Sequence, residues 1–208
     1  MASLAHHFRT MAFNNAWANH RLLKACAQLS DAEFAAPRTS FFPSIRHTLN
    51  HNLTVDWFYV DMLERSLRGQ PPNAEARRFF DPEQPFATCA ALIPAQRAVD
   101  QRLIDLCSGV TDAQLDGPVQ VPRRDGVHVD RVNRILAHLL QHQIHHRGQA
   151  HAMLAGTTVA PPQLDEFFCS NEADERAADF AELGFSEAQI WGEAMSAAEP
   201  IPWSQVKR

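Results

Sequence analysis

The chain has 208 residues, 45 % of them hydrophobic, enough for one domain with a real core and an appendage. Its formal net charge is −5, no Lys/Arg block stands out and Arg123-Arg124 is too short to track phosphates, so nucleic acid is not an expected partner. No apolar run approaches the length of a membrane span, and the N-terminus is polar by its sixth residue without the apolar run of a signal peptide.

Residues from about Ser3 to Gln28 read as a first helix, with Leu4, Phe8, Met11, Trp17, Leu22 and Ala25 at helical spacing. Asn14, Asn15 and Asn19 interrupt it with amides, which are unusual in a helix middle and suggest bonding inside a bundle. Ser30-x-x-Glu33 reads as a capping box for a short turn. After a loop, Pro43-Ser44 opens a second helix that runs to about Arg68, where Gly69-Gln-Pro-Pro72 stops it. His47, His51, Val55, Phe58, Tyr59 and Met62 share one side of that helix. Residues 70–85 form a Pro-rich connection long enough to cross the outside of a bundle.

A third helix is expected from about Phe86 to Cys107, with Leu92, Ala95, Val99, Leu103 and Leu106 as its stripe and Pro94 as a kink or an early stop. Thr111–Leu115 reads as a short turn. Pro118–Asp130 alternates, is β-branched and places Asp125-Gly126 at a turn, so it reads as a small hairpin that Pro122 disfavours. Asp130 is the expected cap of a fourth helix, Val132 to Ala155, ended by Gly156. Beyond Pro161-Pro162, Asp174–Leu183 and Ser186–Met195 read as two short helices joined at Gly184. Leu164, Phe167, Phe168, Phe180, Phe185, Ile190 and Trp191 are too apolar for a loose tail, which is expected to dock on the bundle or on a second subunit. The expected organisation is a four-helix bundle over residues 1–160 with an appended tail over 161–208.

The fourth helix holds five of the 11 histidines: His138, His142, His145, His146 and His151. His142 and His146 are four apart and so lie one turn apart on one face. Ile135, Leu139 and Met153 fall on or near that face, which points it at a core. Two imidazoles in that geometry can grip one transition metal, and a metal satisfies both buried rings at once. The same spacing also suits a helix whose histidines bond to water and neighbouring side chains. The chain has no Glu-x-x-His, which removes a di-iron bundle site, and Gln143 follows His142, which removes the zincin motif. His51 on the second helix can supply a third nitrogen, although a lone histidine on such a face is more often a core residue bonded to a neighbour. Three histidines with open positions describe a catalytic rather than a structural metal site, suited to Zn, Ni, Fe or Co. Cys26, Cys89, Cys107 and Cys169 are far apart with no C-x-x-C, which argues against a thiolate zinc site or a disulfide scaffold and suits a reducing, cytoplasmic setting.

Three stretches carry a resemblance. Phe13-Asn-Asn-Ala-Trp-Ala-Asn-His-Arg-Leu-Leu23, Ser44-Ile-Arg-His-Thr-Leu-Asn-His51 and His142-Gln-Ile-His-His146-Arg-Gly-Gln149 resemble the DinB/YfiT-like family of metal-dependent enzymes over roughly residues 5–170. The resemblance implies an all-α, four-helix bundle with one divalent metal held by His51, His142 and His146. His47, one turn before His51, and His145 are the neighbours with which these are confused. The family includes thiol-dependent transferases and isomerases, so the resemblance implies thiol transfer or hydrolysis on a small-molecule substrate, with a low-molecular-weight thiol as co-substrate, in a homodimer. The alternative is a metal- or small-ligand-binding bundle without turnover. Arg147 is expected to make a structural ion pair, and Gly148 to let a neighbouring helix come close.

Overall fold

The computed structural model describes residues 3–192. In chain order the elements are α1 (Leu4–Cys26), the short α2 (Asp31–Ala35), α3 (Ile45–Leu67), α4 (Cys89–Gly109), the short α5 (Asp112–Leu115), β1 (Pro118–Arg123), β2 (Gly126–Arg131), α6 (Val132–Leu154), α7 (Ala173–Leu183) and α8 (Glu187–Trp191). α1, α3, α4 and α6 form a four-helix bundle in which α1 and α3 each pack against both α4 and α6. The first two long helices are therefore diagonal across the bundle, and their apolar stripes meet in one core that includes Phe13, Trp17, Leu53, Leu63, Leu92, Leu103, Leu136 and Leu139. Among the described residues no helix is long and apolar enough to cross a membrane.

Local chemistry sets where these helices begin. The hydroxyls of Ser3, Ser44 and Thr88 accept from the backbone N–H of His6, His47 and Ala91, so three of the four long helices open on a hydroxyl cap. Capping boxes at Ser30/Glu33 and Thr111/Gln114 start α2 and α5. The third long helix begins at Cys89 rather than Phe86. The Asn50 side chain holds the Phe86 backbone from both sides, donating to its C=O and accepting from its N–H at 2.9 Å each, and this keeps Phe86 out of the helix. Pro94 lies inside α4, which runs on through it to Gly109. Asp130 does not cap α6. It pairs with Val119 in the hairpin, Arg131 takes the cap position, and the Val132 N–H is met by the Gly117 carbonyl at 3.1 Å.

The hairpin is antiparallel, with Val121 opposite His128 and Arg123 opposite Gly126, so its tip is Arg124-Asp125 and not Asp125-Gly126. Gly126 has φ 141°, a conformation closed to a side-chain-bearing residue. Pro122 is tolerated because of its orientation. The Gln120 N–H points away from β2 and donates to Ser66 Oγ of α3, and by alternation the nitrogen of Pro122 faces that same outer edge. Val119 and Val121 are buried, while β2 lies open.

After α6 the chain folds back onto α1. Phe167 is buried beside Trp17, and Phe185 meets Phe13 edge to face at 4.9 Å. Arg21 of α1 reaches Asp179 at 2.5 Å and also pairs with Glu166. Buried Arg176 donates to both oxygens of Glu187 and to the carbonyls of Glu166 and Cys169. Gly184, at φ 72°, ends α7 in the left-handed conformation that a glycine adopts freely. Gly192, at φ 85°, closes α8 after Trp191, and the expected continuation to Met195 lies outside the described residues.

Candidate metal centre

α3 and α6 run antiparallel, so that Tyr59 meets His138 at one level, Asp56 meets Gln143 at the next, and His51 meets His142 above them. His146 follows one turn along α6. The ligating nitrogens of His51, His142 and His146 lie within 4.8 Å of one another, and those of His51 and His142 (Nε2 in both) are 3.0 Å apart. Two nitrogens on one ion, with bonds of about 2.1 Å, are at most ~4.2 Å apart. The cluster therefore meets that geometry after sub-ångström shifts of its side chains.

The protonation chemistry fits a cation. Gln149 bridges two rings of α6: its Oε1 accepts from Nδ1 of His146 at 2.8 Å and its Nε2 meets Nε2 of His145 at 3.0 Å. With its proton held on Nδ1, His146 presents the lone pair of Nε2. Burial, and the imidazoles around them, push His51 down to about 4 and His142 down to about 3, so both rings are neutral at physiological pH. Burial also lowers His146, partly offset by the Gln149 hydrogen bond. Among the described residues, Nδ1 of His142 is buried without a partner, and at its Nε2 this ring meets another imidazole. Two neutral rings facing through Nε2 have one hydrogen bond to share, whereas a cation accepts all three lone pairs. Three imidazoles without a carboxylate form a donor set for a borderline transition ion rather than for Mg or Ca.

Phe42, from the loop before α3, covers the cluster. Its ring centroid lies 4.4 Å from that of His51, 5.4 Å from that of His146 and 4.6 Å from that of His47. Phe41 beside it is 76 % exposed. His47, the competing candidate on the second helix, turns outward to Glu83 at 3.1 Å and takes no place in the cluster. His145 is exposed, and His151 bonds to the Pro162 carbonyl. The roles of Gln149 and Phe42 are absent from the motif reading. Gln149 was open to detection because it stands three and four residues from two histidines on one helix, whereas Phe42 reaches the site from a loop that carries no periodic signal.

Directly behind the histidines, facing the bundle interior, lies a second polar cluster. Arg147 is buried and donates through Nη1 to the Oδ1 atoms of Asn15 (2.7 Å) and Asn19 (2.8 Å). Both asparagines in turn donate through Nδ2 to Asp100. Gln96 joins Asp100 to Asp56, and Gln143 donates to Asp56. The expected ion pair of Arg147 is thus relayed through two amides, which accounts for Asn15 and Asn19 in the middle of α1. Burial raises Asp100 to about 6 and, with the nearby charge of Asp100, raises Asp56 well above the usual carboxylate range. Gly148 does not admit a neighbouring helix: it is exposed, and a Cβ there would meet nothing within 4 Å.

On the other side His142 opens into a cavity of about 870 Å³ between α3, α6, the crossover after α3 and the hairpin tip. Phe58, Tyr59 and Phe80 form an apolar wall, and Arg77, Arg123 and Arg124 stand at its rim. The family model described as the DinB family matches residues 3–177 of this chain. Comparison with curated proteins finds no match.

Proposed function

The chain belongs to the DinB family, and from that premise we propose that it is a metal-dependent enzyme in which His51, His142 and His146 hold one divalent transition ion, zinc, nickel or iron. In this reading it acts on a small molecule by thiol transfer, with a low-molecular-weight thiol as co-substrate, or by hydrolysis. The observation that carries the proposal is the convergence of three neutral imidazoles from two helices, one with its tautomer set by Gln149. A divalent ion held by three imidazoles supplies a Lewis acid with open positions, which makes a thiol or water acidic enough to react near neutral pH. The protein's own groups do the rest. Gln149 aims His146, Phe42 keeps bulk water from one face of the cluster, and the cavity beside His142 has the volume for a small substrate.

One observation favours the second reading, a binding protein without turnover: among the described residues no carboxylate joins the three-histidine cluster to act as a base. Elemental analysis of the purified protein tests the metal, with about one equivalent expected. A screen for thiol-dependent loss of an electrophilic substrate then separates an enzyme from a binder. Metal present without transfer or hydrolysis of any substrate supports the binder, and absence of metal ends both readings.

A cytoplasmic homodimer goes with the proposal. Cys26, Cys89, Cys107 and Cys169 are all free thiols, as a reducing compartment allows. A monomer in light scattering at micromolar concentration would remove the dimer and leave the metal site untouched.

A further inference from the structure

We infer that the cavity beside His142 selects an anionic small molecule, one with an apolar body and a carboxylate or phosphate at the end away from the histidines. The inference rests on the reading of the histidine cluster as the reaction centre, and it names the substrate class of that site.

The wall and the rim of the cavity differ in kind. Phe58 and Tyr59 are buried, while Phe80 and Val127, two of the large apolar side chains left exposed on this protein, also line the space. Exposed apolar groups that converge on one concave surface mark a place for an apolar ligand body. The rim carries Arg77, Arg123 and Arg124, and among the described residues the cavity lining contains no Asp or Glu. The whole chain has 24 acidic residues against 19 basic ones, so an acid-free lining with three arginines runs against the average surface.

Two acids close in sequence to the rim arginines have partners of their own. Asp125 faces His128 at 3.0 Å and Glu75 faces Arg78 at 2.9 Å. Arg123 is held over the aromatic wall, with its guanidinium 5.8 Å from the Phe58 ring and 5.9 Å from the Tyr59 ring and with Nη2 donating to the Tyr59 hydroxyl at 3.2 Å. That contact uses one N–H and leaves the rest of the fork for a ligand. A guanidinium fork fixed on an aromatic face is suited to a carboxylate or phosphate, which it meets with two parallel hydrogen bonds. A ligand whose anionic end sits on Arg123 and Arg124 lays its body along Phe58 and Tyr59 and brings its other end toward His142.

The test is calorimetric and needs no turnover. Full-length, metal-loaded protein is titrated with 4-phenylbutyrate, with 3-phenylpropylphosphonate and with the uncharged 4-phenylbutyramide. At least one anion is expected to bind about tenfold or more tighter than the amide, the effect of one charged hydrogen-bonded contact, and the tighter of the two identifies the anionic group. In Arg123→Ala/Arg124→Ala, whose altered residues are exposed at the hairpin tip, the preference should fall below about threefold, with metal content and circular dichroism unchanged. His142→Ala freed of metal should keep the preference, because the anion sits on arginine. Equal binding of acid and amide, no binding of any probe, or a preference that survives the double arginine change overturns the inference. Loss of the preference on metal removal alone does so too, since the anion would then sit on the ion. Metal content and the thiol-transfer screen are read separately, so the failure of one proposal does not mimic the failure of the other.

Discussion

The histidine cluster and the Arg147 network stand side by side on α3 and α6, with His142 next to Gln143 and His146 next to Arg147. Both put polar groups into a helical bundle, where each must find a partner or destabilise the fold. In the network the charges are met inside the protein. Two asparagines carry the hydrogen bonding from Arg147 to Asp100, and two glutamines tie in Asp56. Among the described residues, the amide oxygens of Asn52 and Gln143 lack partners at its edge. The histidines instead face one another, with neutral rings, an unpartnered Nδ1 and an open cavity alongside. A polar cluster that closes on itself serves to hold helices in register, whereas one that leaves its lone pairs converging on a point is waiting for a ligand. Adjacent residues on one helix thus serve opposite ends, and what tells them apart is that amides bridge the charges of the network, while the imidazole nitrogens converge on one point.

Arg147→Met should break that comparison most severely. It leaves Asp100 and the oxygens of two buried amides without their cation, and removing one partner from such a buried set is expected to cost about 3–5 kcal/mol, read from urea unfolding. His142→Ala in metal-free protein should change stability by less than about 1 kcal/mol, since it deletes a ring with an unpaired nitrogen rather than one member of a closed network. Equal losses from the two changes would mean that the clusters are not different in kind.

The reverse contrast appears in metal content. His51→Ala, His142→Ala and His146→Ala should each take bound metal from about one equivalent to near none, with helicity by circular dichroism kept. His47→Ala, His138→Ala and His151→Ala should keep the metal, as should His145→Ala. Metal loss in His47→Ala with retention in His51→Ala would shift the site one turn along α3. Gln149→Leu should have a smaller effect, weakening metal affinity about tenfold without unfolding, because it frees the ring of His146 rather than removing a ligand.

The smallest effect, and the one that sharpens the contrast, lies in pH. His51 and His142 titrate near 4 and 3 in the folded chain against an ordinary 6.5, so the unfolded chain binds more protons between those values. Their contribution lowers the stability of metal-free protein as pH falls below about 6.5. Asp100 has the opposite sign. Held near 6 against an ordinary 3.8, it binds its proton more readily when folded, and its contribution is lost as pH rises through that window. Thermal melts in EDTA from pH 4 to 7 should therefore show a shallower acid-side fall in His51→Ala/His142→Ala than in the parent, and a weaker loss toward pH 7 in Asp100→Asn. Identical pH profiles in all three proteins would remove the electrostatic distinction between the clusters.

Periodicity alone was enough for the four long helices, because an apolar stripe every third or fourth residue has one stable use in a chain without a convincing sheet. The pairing of His142 with His146 needed only helix geometry, and the resemblance named His51. The hydroxyls that open three of the long helices also stand in the sequence, since a cap acts over three residues. What lay beyond the sequence was set by contacts between residues far apart. The diagonal placing of α1 and α3 follows from how four stripes share one core, which no single stripe encodes. Asn50 delayed α4 by gripping Phe86 from another helix, and a strand pairing took Asp130 away from the cap of α6. Asn15 and Asn19 were visible as oddities of α1, but their purpose depends on Arg147 and Asp100 arriving from α6 and α4. The choice between His47 and His51 was likewise tertiary: both lie on one helix face, and the direction in which α3 meets α6 brings His51 to His142 and leaves His47 with Glu83.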